Sequence, residues 1–187
     1  MKVNDILNGN TQFSAIISEC SQFIEEAGGA PLFRALPTTY SNVHKVKVRK
    51  KKTNPINESF DHAFNEYHPQ LRQRAVFTHG EVSDIVIEHN TEPFFVYPID
   101  GYKFMYSTNI TNSNQQYQQV FESIIDTFGD TVGPSTISDM LKFTYAHDNL
   151  NEGISAGAEI VLFNIPYYYA VRVNDENING LGNIGAV

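Results

Sequence analysis

Near the start of the chain, apolar positions recur at helical spacing. Phe13, Ile16, Ile17, Cys20, Phe23, Ile24 and Ala27 fall on one face of a 3.6-residue period. Thr11 stands where it can cap the start and Gly28-Gly29 where it can end the run, so the pattern predicts a helix over 11–27. Cys20 lies on that apolar stripe and reads as core, not as a nucleophile. A second helix is predicted from Pro55, with Asn54 as its cap and Phe60, Ala63, Phe64 and Tyr67 inward. Tyr117, Val120, Phe121, Ile124, Ile125 and Phe128 give a third face over 113–128, and a shorter fourth helix is predicted over 136–145.

Elsewhere the apolar residues alternate or run together, as in strands. Pro31-Leu32-Phe33-Arg34-Ala35-Leu36-Pro37 is a short apolar run closed by proline at both ends. Lys45-Val46-Lys47-Val48-Arg49 alternates basic and apolar residues. Ala75-Val76-Phe77 and Phe94-Phe95-Val96-Tyr97 read as short buried strands, and 102–106 puts three aromatics on one face. Residues 159–163 and 167–173 read as two strands around a turn at Asn164-Ile165-Pro166, with Tyr167-Tyr168-Tyr169 as strand packing. Helices and strands segregated in this way predict an α+β fold. The chain shows no internal repeat and no dividing linker, so residues 1–187 are expected to form one domain, with a loosely ordered Asn/Gly-rich tail over 174–187.

Charge changes this picture at two places. Arg34 is a lone guanidinium in an apolar run, and a desolvated charge is costly unless it meets an acid or an anionic ligand. Six of the 13 basic residues cluster as Lys45, Lys47, Arg49, Lys50, Lys51 and Lys52, and the other seven face 21 acidic ones. A surface of that kind repels nucleic acid in general but presents one patch able to contact phosphates; its plainer reading is a solvated charged strand and loop. A single cysteine excludes an intramolecular disulfide framework, and no apolar stretch reaches the roughly 18 residues of a membrane span. With no signal-peptide pattern at the start, a cytoplasmic protein without a membrane contact is expected. His62, Glu66 and His68 lack a strong zinc spacing, so no metal site is predicted. No phosphate-cradling glycine loop, nucleophile elbow or Rossmann fingerprint occurs, and 129–134 reads as a turn.

Three polar elements touch ends of predicted strands: Arg34 in the first, Ser107-Thr108 after 102–106, and Glu159 opening 159–163. In that order they resemble the arginine–serine–glutamate, cholera-toxin-like class of ADP-ribosyltransferases over residues 31–173. The resemblance implies two packed, mainly antiparallel sheets around an NAD cleft with flanking helices. It also implies that NAD is the substrate and that Arg34, Ser107 and Glu159 are the site residues. Glu159 would stabilise the oxocarbenium formed as nicotinamide leaves. Arg34 would hold an NAD phosphate, and Ser107, with Thr108 beside it, would shape the nicotinamide side. Tyr102, Tyr106, Phe143 and Tyr145 are candidates to stack on nicotinamide.

Two positions depart from the family pattern. Asn109 stands where the second serine of Ser-Thr-Ser would be, and Gly157 replaces the upstream glutamate of E-x-E. Without that glutamate the implied acceptor is not arginine; water (making the protein an NAD glycohydrolase), another side chain or a nucleic-acid base are the alternatives. The stretches 74–80 and 95–101, with the basic run, are similar to small tailed-phage proteins of this fold, which implies action in the host cytoplasm. The competing expectation is a catalytically inactive module on the same fold that contacts a host protein or nucleic acid. A virion or assembly component is a third. Taken singly, each residue also has a structural reading: Arg34 in an ion pair, Ser107-Thr108 ending a strand, and Glu159 exposed at a strand start.

Overall fold

The computed structural model of the protein describes residues 11–49, 64–65, 71–108, 110 and 145–173. The first helical pattern forms two helices, α1 (Thr11–Glu19) and α2 (Ser21–Glu26), instead of one. The break at Cys20, where the backbone turns to φ −126° and ψ 26°, has a tertiary cause. Asp100, far along the chain, accepts from the Gln22 N–H at 2.8 Å and the Ser21 hydroxyl at 2.7 Å, capping α2. Its own N–H donates to the Glu19 carbonyl at 2.7 Å, closing α1. The apolar stripe survives, since Ile16, Cys20, Phe23 and Ala27 are all buried. Burial pushes the Cys20 thiol up to about 12, as a core role requires.

Seven strands follow: β1 (Phe33–Pro37), β2 (Val43–Lys47), β3 (Val76–His79), β4 (Thr91–Pro98), β5 (Lys103–Tyr106), β6 (Glu159–Phe163) and β7 (Tyr167–Arg172). Two short helices, α3 (Leu71–Arg74) and α4 (Leu150–Ser155), accompany them, so the fold is α+β. All strand pairs are antiparallel, in the order β2-β7-β4-β1-β3-β6-β5. Where the resemblance implies two packed sheets, the described strands form one seven-stranded sheet with a weak joint. β1 matches β4 in five register pairs, Phe33↔Phe95 through Pro37↔Thr91, but meets β3 in one, Phe33↔His79. The half-sheets β2-β7-β4-β1 and β3-β6-β5 therefore share a seam.

Alternation assigns the core. Leu32, Leu36, Phe94, Val96, Ile160 and Leu162 pack together on one face. On the other, Phe33, Phe95 and Val171 pack with Ile16 and Cys20, while Met105, Val161 and Phe163 pack with Phe64 and Tyr145. The helix predicted from Pro55 is described only at positions 64 and 65, where Phe64 is fully buried. The helix predicted over 113–128, residues 136–144 of the one predicted over 136–145, the tail 174–187, the His62, Glu66 and His68 group, Phe143 and Lys50, Lys51 and Lys52 lie outside the described residues; Tyr145 itself is not helical. Among the described residues, no helix is long and apolar enough to cross a membrane.

Candidate functional site

One end of the sheet collects the start of β1, the end of β3, the start of β6 and the end of β5. The register pairs Phe33↔His79, His79↔Glu159 and Tyr106↔Ile160 put these positions on neighbouring strands. Cross-strand partners share a face, so Phe33, His79 and Glu159 lie on one side of the sheet. Arg34 is one residue on and belongs to the side of Leu32 and Leu36. A ligand that touches both Arg34 and Glu159 has to cross the sheet where β1 and β3 part.

Arg34 donates from Nη1 to the carbonyl oxygen of Phe77 at 2.9 Å, reaching over the seam to β3. Its Nε is buried without a partner. Leaving such a group unsatisfied costs about 1–3 kcal/mol. The contrast with Arg172 is direct: that guanidinium pairs with Glu92, whereas no carboxylate pairs with Arg34 among the described residues. Among the described residues, the ion-pair reading of Arg34 finds no acid.

Glu159 is 5% exposed, not the solvated strand start that its sequence position alone suggests. Its position follows from the end of α4. Gly157 N–H donates to the Ile154 carbonyl at 3.0 Å and Ala158 N–H to the Gly153 carbonyl at 3.1 Å, a Schellman closure. That motif needs a left-handed residue, and Gly157 has φ +66°. The chain leaves this turn directly into β6, with the Glu159 N–H held by the Ile110 carbonyl at 3.1 Å. The residue missing from E-x-E is thus the glycine that closes a helix.

Ser107 is buried at 1% exposure, while Thr108 beside it is exposed. Ile110 N–H donates to the Ser107 carbonyl at 3.0 Å, so the turn after β5 folds against the start of β6 and brings Ser107 beside Glu159. Ser107 is not brought beside Arg34, because β6 and β3 intervene. The aromatic candidates separate as well. Tyr102 sits at the opposite end of β5 and bonds to Glu26. Tyr145 packs against Phe64 at 5.9 Å between ring centroids, and Tyr106 is buried at the site end of β5.

Sequence reasoning missed His79. It ends β3, the strand between those of Arg34 and Glu159, and its Nδ1 is buried without a partner. Burial holds its imidazole below the usual histidine range; Asp84 pulls the other way, and Arg34 adds to the depression. The available signal was a polar residue closing a short apolar strand before Gly80, the same signal that singled out Ser107. Neighbouring Thr78 is fully buried and donates to the Ile160 carbonyl at 3.0 Å, tying β3 to β6. This end of the sheet thus carries a guanidinium on one face and an imidazole and a buried carboxylate on the other. No three described His, Cys, Asp or Glu residues form a metal-holding group. No family model, curated protein or solved structure matches the chain.

Proposed function

We propose that the protein is an NAD-dependent ADP-ribosyltransferase, with an ADP-ribosyltransferase-like arrangement of its two half-sheets around the seam. The observation that carries this reading is a single sheet end holding Arg34, His79 and Glu159 on the consecutive strands β1, β3 and β6. Arg34 binds the dinucleotide through a phosphate. As the bond from ribose C1′ to the nicotinamide nitrogen breaks, its electron pair leaves with nicotinamide and positive charge develops on the ribose. A carboxylate held out of water stabilises that charge more strongly than one in solvent, which is the role of Glu159. Ser107 braces the nicotinamide side beside it. A nucleophile then adds to C1′ and loses its proton.

The acceptor is not arginine on this reading, because no glutamate stands two residues before Glu159. Labelled NAD incubated with the protein and a cell lysate tests the assignment. Label on protein, nucleic acid or free ADP-ribose identifies the acceptor class, and the absence of any nicotinamide release overturns the proposal.

A specific observation favours a second reading, an inactive binding module for an anionic partner. Lys45 and Lys47 on β2, which stands at one end of the sheet order, and Arg49 just after it are exposed. Lys45 is partly engaged already, 3.6 Å from Glu19 and 3.7 Å from the Tyr167 ring centroid. Salt-dependent nucleic-acid binding that disappears when Lys47 and Arg49 are replaced, without NAD cleavage, identifies this function instead.

A further inference from the structure

We infer that residues 80–90, the crossing from β3 to β4, form a docking surface for a protein segment that carries lysine or arginine among aliphatic residues. Among the described residues, the large apolar side chains left exposed are Val82, Val86 and Ile87, at 46%, 57% and 55%. All three lie in this one crossing. Exposed apolar residues gathered in this way mark contact sites, whereas scattered ones do not.

β3 and β4 both run antiparallel to β1, so the crossing passes over β1 to join them. It is pinned along its length. At its start Gly80 abuts α4, where a Cβ would fall 2.3 Å from the Ile154 carbonyl oxygen. A 3-10 turn follows over Val82–Asp84, and Ile85 packs against the core of Ile16, Phe33 and Phe95. At its end the Thr91 hydroxyl accepts from the Glu88 N–H at 2.8 Å, and the Asn90 carbonyl accepts from the Thr38 N–H at 3.0 Å. The three aliphatic side chains are thus held out on an anchored backbone, which lowers the ordering cost of binding.

Charge selects the partner. Glu81, Asp84 and Glu88 stand among the aliphatic residues, and no lysine or arginine occurs between Arg74 and Lys103. Three carboxylates repel the phosphates of nucleic acid and of anionic lipid, and the crossing has no Phe, Tyr or Trp on which a base could stack. They attract lysine and arginine, which bring aliphatic neighbours onto Val82, Val86 and Ile87. A second copy is a poor fit. Its Lys45, Lys47 and Arg49 offer the charge, but Val46 and Val48 between them pack against its own core. Three side chains make a small contact, which suits a transient complex. The inference goes beyond NAD chemistry and does not rest on it.

The test is methyl NMR of the full chain, labelled at valine and isoleucine, titrated with a synthetic peptide that alternates lysine and leucine. The same peptide with glutamate for lysine, and a single-stranded DNA oligonucleotide, serve as comparisons. The lysine peptide is expected to shift the methyl resonances of Val82, Val86 and Ile87, and the two acidic probes to leave them in place. Val86→Ser with Ile87→Ser should weaken peptide binding about tenfold, and Glu81→Lys with Glu88→Lys by a similar factor. All four residues are exposed, so the thermal midpoint should change little. No shift at these methyls, equal binding of the glutamate peptide or the oligonucleotide, or wild-type affinity in either variant overturns the inference. Shifts of the same methyls on raising protein concentration alone overturn it too, by putting a second copy on the surface.

Discussion

His79 and Glu159 are cross-strand partners, joined in the register of β3 against β6. That pair fixes which strand stands between the guanidinium and the carboxylate. It is β3, and the strand leading to Ser107 lies on the far side of Glu159. The proposed site therefore has an arginine flank, a histidine centre and a serine flank beyond the glutamate.

Replacing Glu159 by Gln keeps the shape and removes the charge. Nicotinamide release is expected to fall at least 100-fold, on the order of what preorganised electrostatic groups contribute, with NAD affinity little changed. Unchanged turnover in a nicotinamide-release assay would exclude Glu159 from the chemistry.

Arg34→Met separates function from stability. The substitution removes the buried unpartnered Nε along with the bond to Phe77, so the thermal midpoint should not fall. ADP-ribose affinity should nevertheless drop by about tenfold or more. A large loss of stability with intact binding, seen by calorimetry, would mark Arg34 as purely structural.

Gly157 offers a backbone test. At φ +66° a side chain carries a strain of about 1–2 kcal/mol, so Gly157→Ala should lower stability by that amount in denaturant titration. Gly157→Glu restores the E-x-E spelling but adds a carboxylate next to Asp84. It is expected to be less stable than Gly157→Ala and to gain no arginine-modifying activity.

Cys20 gives a pH signature. Its thiol rises from an ordinary 9.0 to about 12 in the fold, so the folded state keeps the proton that the unfolded state releases. Stability is thus complete below pH 9 and declines as pH rises towards about 12. Cys20→Ala should flatten part of that alkaline decline, read as the difference in unfolding free energy between the two proteins across the window. An identical slope in both would show that the thiol does not contribute.

Local patterns carried most of the strand assignments. β1, β4, β5, β6 and β7 fall where apolar runs and alternation place them, because side-chain burial along a strand has a period of two. The α1–α2 break was not legible, since it depends on the carboxylate of Asp100 from the turn after β4. The order of the strands was hidden for the same reason: β3 meets β6 through residues 82 positions apart, such as Thr78 and Ile160. Arg34 was conspicuous as a charge among apolar residues, whereas the burial of Ser107 and Glu159 was not legible, because it depends on the pairing of β5 with β6. His79 had no such contrast, and only the register discloses its place between them.

β2 ends the sheet order, and a terminal strand offers backbone groups to any second copy that approaches it. Lys45 and Lys47 are exposed along that strand, and Arg49 just after it. Two such margins brought together would set cation against cation. That repulsion opposes edge-to-edge association and weakens as salt is raised.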